Sequence, residues 1–335
     1  MHRSTTEPRI RVEILLDETD RRAALHDATF WSLRCQPKEL PAVWLYDERG
    51  SRLFEAITRL PEYYPTGAER TILQARAAEI AARTGARTLI ELGAGTSEKT
   101  RLLLDALDAA GSLERFVPLD ASEEILRASA HAVADQYPTI GVHAIVADFE
   151  RHLHAIPAGT DRLIAFLGST IGNLDATRRR ALLGAVSDVL APGDAFLLGV
   201  DLVKDPAIIA AAYNDLEGVT EAFVRNALTV VNRELRARFE QDRFRFEARW
   251  DPAHEWMDIG FRSLDTQTVR LDELEVDVAF AADEQLRVEI SAKFERQRLT
   301  DELAAVGLQL DAWWTDSPER FAVLLATRSP DVGQR

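Results

Sequence analysis

The middle of the chain, from residue 69 to residue 203, alternates short apolar runs with longer amphipathic stretches. The apolar runs predict strands at residues 88–92, 115–119, 142–147, 163–167 and 196–202. The stretches between them predict helices at residues 97–108, 122–136 and 176–190, with Ser97 and Ser122 as start signals. Strands separated by helices in this order lie parallel in one sheet and are joined by right-handed crossovers. The pattern therefore predicts an α/β domain.

After residue 203 the pattern changes. Helical stretches at 206–215 and 219–239 precede alternating runs that predict antiparallel strands at 244–250, 256–263, 268–271 and 286–293. A helix at 298–306 and strands at 309–315 and 321–327 then predict a return to the first sheet. We therefore expect one domain formed by residues 67–203 and 294–328, and a second, inserted domain formed by residues 15–66 and 204–293.

The net charge, the apolar content and the cysteine count exclude several classes of function. A net charge of −15 argues against a sequence-independent nucleic-acid binder, which needs a basic surface. No run approaches the roughly 18 apolar residues of a membrane span, and the charged start of the chain is unlike a secretory signal. The single cysteine, Cys35, excludes an internal disulfide, and no Cys/His cluster has the spacing of metal ligands. We expect a cytoplasmic monomer that needs no metal and binds a small molecule.

A glycine-rich turn follows the first of these strands. Glu91 lies near the end of the strand, and Gly93 and Gly95 permit a sharp turn and a close approach of the backbone to a ligand. A second acid, Asp120, closes the next apolar run about 25 residues later, which is the spacing of a strand, a helix and a second strand. An acid in that position can accept hydrogen bonds from both hydroxyls of a nucleoside ribose.

A glycine-rich turn of this kind can simply pack a helix against a strand. If it binds a ligand, its sequence also indicates which nucleoside that ligand contains. The sequence GAGTS lacks the third glycine of the dinucleotide fingerprint, which a pyrophosphate requires. The acids Glu91, Asp120 and Asp148 would repel a pyrophosphate but tolerate a cationic ligand. The pattern therefore favours S-adenosylmethionine (SAM), which carries a sulfonium, over a dinucleotide.

Two loops combine glycine, aromatic and polar residues in a way that a core does not require. Tyr63 lies between prolines in the segment LPEYYPT, which stiffens the loop and can aim the phenol at a ligand. Asn173 follows a buried strand in the segment LGSTIGNL, at the edge where open α/β sheets bind ligands, and Gly168 can expose its carbonyl there. The alternatives are a surface tyrosine and an asparagine that caps a helix.

Two further positions lie in the inserted region. Tyr213 belongs to a helix, where a tyrosine is more often part of the core than a ligand contact. Glu289 and Ser291 are two residues apart in a predicted strand and therefore share one face. On an exposed strand this would be an ordinary solvated face, whereas in a cleft the carboxylate and hydroxyl can serve the two nitrogens of a heterocycle.

These motifs together resemble a known family. The segments YDERGSRLFEAITRLPEYYPT, IELGAGTSEKT, FLGSTIGNL, LGVDLVKD, NREL and EISAKF, between residues 40 and 328, are similar to the histidine N-alpha-methyltransferases of ergothioneine biosynthesis, the EgtD family. The resemblance implies a Rossmann-like class I methyltransferase domain with a seven-stranded sheet and an inserted α+β substrate-binding domain. It implies conversion of L-histidine to its trimethylated betaine, hercynine, with SAM as methyl donor.

The resemblance also implies roles for individual residues. For SAM it implies contacts with Gly93, Gly95, Lys99, Asp120, Asp148 and Phe149. For histidine it implies contacts with Phe54, Tyr63, Asn173, Tyr213, Ile259, Glu289 and Ser291, with Tyr46 and the Gly168 carbonyl as the catalytic groups beside the amine. The chain departs from the family pattern at Ala94, at Gly67, and at Ile259, which stands where the family often has a methionine near the ring.

Two other functions are compatible with the sequence. The first keeps the chemistry and changes the substrate to another aromatic amino acid such as tryptophan; Glu289 disfavours it, because a carboxylate against an apolar ring lacks a partner. The second is a SAM-binding module without catalytic activity. A complete set of acid, amide and phenol side chains disfavours that alternative.

Overall fold

The structure, a computed structural model, describes residues 9–329. The strands within that range are β1 (Ile10–Ile14), β2 (Lys38–Glu39), β3 (Thr88–Leu92), β4 (Arg115–Asp120), β5 (Gly141–Val146), β6 (Arg162–Phe166), β7 (Ala195–Asp201), β8 (Phe244–Asp251), β9 (Trp256–Ser263), β10 (Gln267–Leu271), β11 (Val276–Phe280), β12 (Gln285–Ala292), β13 (Leu308–Thr315) and β14 (Phe321–Arg328). The α-helices are α1 (Glu18–Ser32), α2 (Glu48–Ile57), α3 (Tyr64–Thr84), α4 (Arg101–Ala109), α5 (Glu123–Gln136), α6 (Phe149–His152), α7 (Ala176–Val189), α8 (Pro206–Tyr213), α9 (Val219–Glu234) and α10 (Arg296–Ala305).

The larger sheet has the strand order β1-β5-β4-β3-β6-β7-β14-β13. The strands of this sheet from β1 to β7 run parallel, and β14 is antiparallel to both of its neighbours, β7 and β13. The predicted α/β domain, its parallel strands and the return of the chain to the sheet are therefore confirmed. Strand β1 adds an eighth strand at the edge, which the sequence analysis did not predict.

Both faces of the larger sheet are covered, as a parallel sheet requires. Leu89 and Phe116 point into one apolar cluster, which the helices α3, α4 and α5 complete. The next residue in each strand, Ile90 or Val117, points into a second cluster, which includes residues of α7 and α10. This arrangement leaves the carboxyl ends of the strands as the edge at which a ligand can bind.

A second sheet has the order β2-β12-β9-β8, and β10 pairs with β11 as a separate hairpin. Strands β8, β9 and β12 are antiparallel, which confirms the predicted change of architecture after residue 203. A third apolar cluster joins these strands to α2, α8 and α9. Its separation from the clusters of the larger sheet supports our expectation of an inserted domain, whose boundaries stay a prediction. Strand β11 was not predicted.

Two helix boundaries differ from the prediction by four residues or more. Ser97 does not start a helix: it has a φ of 53° in a tight turn and hydrogen-bonds the Ser129 hydroxyl at 3.0 Å, and α4 begins at Arg101. Helix α9 ends at Glu234 instead of continuing to residue 239, because Arg236 has a φ of 45°, which breaks the helix. Neither backbone conformation is encoded in hydrophobic spacing.

Candidate active site

The glycine-rich turn is organised around Asp120. Its Oδ2 atom accepts a hydrogen bond from the Gly95 N–H at 2.9 Å, and its Oδ1 atom accepts one from the Ser122 N–H at 2.9 Å. Gly93 and Gly95 have φ values of 68° and 49°, in the region that favours glycine. Burial raises the pKa of Asp120. Each carboxylate oxygen keeps a lone pair for another donor, so the carboxylate can accept two hydroxyls.

Phe149 lies beside the turn, as the resemblance implies. A Cβ atom placed on Gly93 would lie 4.0 Å from Phe149 Cε1, and the Phe149 ring centroid lies 5.1 Å from that of Phe166. Asp148 precedes Phe149 and caps α6 by accepting the Glu150 N–H at 2.9 Å. The structure therefore brings the apolar ring of Phe149 to the turn, and Asp148 follows β5, which pairs with the strand that ends at Asp120.

Glu91 is the least satisfied acid of this region. It is buried, and burial raises its pKa to about 8. One of its oxygens accepts a hydrogen bond from the Thr100 hydroxyl, while Oε2 is buried with no partner among the described residues. A positively charged ligand beside Glu91 would favour its carboxylate form, and an N–H donor would satisfy the oxygen that has no partner. The turn therefore fits SAM, which has both.

Lys99 and Gly168 meet at an acid that the sequence analysis missed. Glu69, on α3, is fully buried and accepts hydrogen bonds from the Lys99 ammonium and from the Gly168 N–H, the latter at 2.8 Å and 3.0 Å. Glu69 thereby joins the glycine-rich turn to the loop after β6. The sequence signal that could have identified Glu69 is an acid at a position that the helical pattern predicts to be buried.

The predicted aromatic residues form a continuous row of rings. Centroid distances are 5.8 Å for Tyr46–Phe54, 6.4 Å for Phe54–Tyr63 and 6.3 Å for Tyr63–Tyr213. Phe223, which was not predicted, packs against both Tyr46 and Phe54 at 5.4 Å and 5.7 Å. Tyr46 is 43% exposed and therefore lies at the solvent end of the row.

Asn173 and Glu289 lie in different parts of the fold and are hydrogen-bonded to each other. Asn173 Nδ2 donates to Glu289 Oε1 at 2.9 Å. Burial raises the pKa of Glu289 to about 7, and Lys293 opposes that shift. Ile259 is directly opposite Glu289 in the neighbouring strand, so the two side chains share one face of the sheet. The amide, the acid and the apolar residue are therefore adjacent.

Tyr213 and Ser291 are also joined, by a hydrogen bond of 2.7 Å from the phenol to the Ser291 hydroxyl oxygen. Both accept hydrogen bonds from the Lys293 ammonium, at 2.8 Å and 2.9 Å. Lys293 is fully buried and forms an ion pair with Asp201 at 2.9 Å. The sequence analysis missed Lys293 and Asp201, although Lys293 is only two residues from Ser291 in the motif EISAKF.

Comparison with known proteins places this chain in a family. A family model described as histidine-specific methyltransferase, SAM-dependent, matches residues 25–328. The chain belongs to that family. The histidine N-alpha-methyltransferase of Mycobacterium tuberculosis is 48% identical over 320 residues, which cover 96% of this chain and 100% of that protein. The protein of the same name from Mycolicibacterium smegmatis is 49% identical, over 88% of this chain and 92% of that one.

A fungal relative shows that the same domain occurs in a longer protein. Ergothioneine biosynthesis protein 1 of Neurospora crassa is 33% identical to this methyltransferase over 87% of this chain, but that match covers only 33% of the fungal protein. The recognised resemblance, the α/β methyltransferase fold and the dependence on SAM are thereby confirmed. The roles of individual site residues stay a prediction.

Two further observations concern membrane spans and metal ligands. No helix in residues 9–329 combines the length and the apolar character that a membrane span requires. Over the same range, no group of three or more His, Cys, Asp or Glu side chains is arranged to hold a metal ion.

Gly172 sets the contact that brings Asn173 to Glu289. A Cβ atom at position 172 would lie 2.8 Å from the backbone oxygen of Ala292, so one of the two backbones must move. We expect Gly172→Ala to lower the free energy of unfolding of this methyltransferase by about 1 to 2 kcal/mol, measured by urea denaturation. Gly184→Ala is the control, because open space surrounds that helical glycine and alanine favours helices. Equal stability of the two variants would contradict this close approach.

The pKa of Glu289 predicts a pH dependence of substrate binding. With a pKa of about 7, the carboxylate dominates above that pH and is protonated below it. Affinity for histidine that depends on the carboxylate is then present above pH 7 and is lost as the pH falls, by up to about tenfold per pH unit. Calorimetry with adenosylhomocysteine bound would measure this. Glu289→Gln should remove this part of the pH dependence; an unchanged profile would exclude Glu289 as its source.

Proposed function

We propose that this methyltransferase transfers methyl groups from SAM to the α-amine of L-histidine, three times, to form hercynine in ergothioneine biosynthesis. The observation that carries the proposal is the pairing of Asn173 with Glu289 next to the pairing of Tyr213 with Ser291. These side chains offer an amide, a carboxylate and two hydroxyls around one face of β12. Histidine has a matching set of a carboxylate, an amine and two ring nitrogens.

We assign the residues to two ligands. The SAM-binding group consists of Gly93, Gly95, Lys99, Asp120, Asp148 and Phe149. The histidine-binding group consists of Phe54, Tyr63, Asn173, Tyr213, Ile259, Glu289 and Ser291, with Tyr46 and the Gly168 carbonyl nearest the reacting amine. The Glu69 carboxylate, which accepts hydrogen bonds from both Lys99 and Gly168, supports the placement of the two groups side by side.

The protein's own residues contribute orientation and proton handling. When bound, SAM supplies an electrophilic methyl group. The amine must be uncharged to attack, and Tyr46, which is 43% exposed, can relay the amine proton: its phenol oxygen accepts that proton while the phenol hydrogen passes to solvent. Gly168 is exposed, with a φ of 80°, so its carbonyl oxygen can accept an amine hydrogen and stabilise the positive charge that develops on nitrogen. Holding the two reactants together accounts for up to about 7 to 11 kcal/mol of the barrier.

A second candidate substrate is a tryptophan-like amino acid. The row of aromatic rings and the buried Ile259 favour it, since both suit a larger apolar ring. A 4-dimethylallyltryptophan N-methyltransferase of Epichloe festucae is 25% identical over 87% of this chain. Against it, an indole has one N–H for Glu289 but no ring acceptor. The hydroxyl hydrogen that the bond between Tyr213 and Ser291 leaves free would have no partner in an indole ring.

A competition assay would test the proposal. The purified protein is incubated with SAM and equal amounts of L-histidine, L-tryptophan and L-phenylalanine, and methylated products are counted by mass spectrometry. We expect histidine to be consumed first and to gain three methyl groups. Preferential methylation of tryptophan would establish the second candidate, and no methylation of any amino acid would overturn the assignment.

We also infer that the protein acts in the cytoplasm as a monomer. The polar, small-molecule substrate and the net charge of −15 support this inference. Light scattering after size-exclusion chromatography would test the monomer, for which the mass is 37.4 kDa.

A further inference from the structure

Lys293 uses all of its hydrogen-bonding capacity inside the protein. Its side chain is fully buried, and its ammonium has three N–H donors. Those donors have three acceptors: Asp201 Oδ2 at 2.9 Å, the Tyr213 hydroxyl at 2.8 Å and the Ser291 hydroxyl at 2.9 Å. No donor remains for a ligand, so Lys293 can act on a substrate only through Tyr213 and Ser291.

The two hydroxyls have little freedom left. The hydroxyl groups of Tyr213 and Ser291 have one hydrogen each. One of these two hydrogens forms the 2.7 Å hydrogen bond between the two groups. Neither hydroxyl has another acceptor among the described residues. Whichever hydroxyl donates to the other, one hydrogen is left over and can donate to a ligand. The adjacent ammonium opposes a positively charged ligand group at that position.

We propose that Lys293 is a positioning residue that makes Tyr213 and Ser291 a single hydrogen-bond donor, directed at an uncharged or negative acceptor atom of histidine. This inference rests on the proposed function. The acceptor is either the carboxylate or the ring nitrogen that carries no hydrogen. Both are acceptors of the same chemistry, and ligands that differ only in the carboxylate distinguish them.

Lys204, a second lysine that contacts Asp201, offers a matched control for the test. The Asp201 Oδ1 atom is 2.7 Å from the Lys204 ammonium, and the Asp201 Oδ2 atom accepts a hydrogen bond from the Tyr64 hydroxyl at 2.8 Å. Lys204 therefore contacts the same acid as Lys293 but donates to neither Tyr213 nor Ser291. Because Lys204 and Tyr64 remain, Lys293→Met does not leave Asp201 without partners.

The experiment is calorimetry of L-histidine and of histamine, which lacks the carboxylate, with adenosylhomocysteine bound. We expect Lys293→Met to weaken histidine binding roughly ten-fold or more, and Lys204→Met to change it by less than about three-fold. Affinity for adenosylhomocysteine should stay within about two-fold in both variants. An equal loss for histamine assigns the donor to the ring nitrogen, and an unchanged histamine affinity assigns it to the carboxylate.

The opposite results would overturn the inference. Lys293→Met with wild-type histidine affinity, or Lys204→Met with an equal loss, would show that Lys293 has no specific role while the proposed function stands. Wild-type protein that does not bind histidine would instead overturn the proposed function. If Lys293→Met does not fold, Lys293→Met/Asp201→Asn removes both charges. A Tyr213→Phe cycle in whichever background folds should show losses that are not additive; additive losses would contradict the inference.

Discussion

Replacing Asp120 with alanine is expected to weaken the binding of adenosylhomocysteine by about 3 kcal/mol, which is roughly a hundredfold or more in affinity. Asp120 has one lone pair on each oxygen for a ribose hydroxyl, and hydrogen bonds to a charged acceptor are the strong ones. The same carboxylate holds the N–H groups of Gly95 and Ser122, so its removal also loosens the turn. Calorimetry with the purified variant would measure the loss.

A charge-matched control separates this contact from a general electrostatic effect. Asp188 is exposed near the end of α7, and Asp188→Ala changes the net charge by the same amount as Asp120→Ala. We expect the control to bind adenosylhomocysteine with wild-type affinity. A similar affinity in Asp120→Ala and in wild type would show that the cofactor does not lie on this acid.

Glu289→Ala is expected to reduce the preference for histidine over phenylalanine, whose ring has no N–H, by about 2 kcal/mol in kcat/KM. The carboxylate can accept the ring N–H, and Asn173 donates to its other side at 2.9 Å. Alanine removes the acceptor for the ring and leaves the Asn173 amide without this partner. Competition between the two amino acids, with product counted by mass spectrometry, would give the ratio directly.

Glu289→Gln is the matched variant, because it keeps the shape and one acceptor oxygen. We expect it to retain more of the preference for histidine than Glu289→Ala does. If Glu289→Ala kept the full preference, ring selection would pass to Tyr63 and Ile259, and the role assigned to Glu289 would be wrong.

The parallel strands were predictable because each is buried on both faces and reads as an uninterrupted apolar run. For β4 and β6, for example, predicted and observed boundaries differ by one residue. Strand β1 was missed because Arg11 and Glu13 interrupt its apolar residues, as is usual at the edge of a sheet. Its place in the fold depends on pairing with β5, which is a long-range contact.

Site residues that lie within a recognisable motif could be named from the sequence. Residues whose contribution depends on contacts between distant parts of the chain could not be named from it. The aromatic row joins Tyr46, Phe54, Tyr63 and Tyr213, all of which the sequence analysis named. The support of Ser291 by Lys293 was not foreseen, because it depends on the Asp201 carboxylate 92 positions earlier in the chain (293 − 201). Spacing within a motif contains no information about such a contact.

The position of methylation tests the central claim most directly. The protein is incubated with L-histidine and a SAM whose transferable methyl group carries carbon-13, and the product is examined by nuclear magnetic resonance. The proposed orientation predicts three equivalent labelled methyl groups on the α-nitrogen and none on the ring, because it puts the amine at the Gly168 carbonyl and the imidazole at Glu289. A labelled methyl group on a ring nitrogen would contradict this orientation.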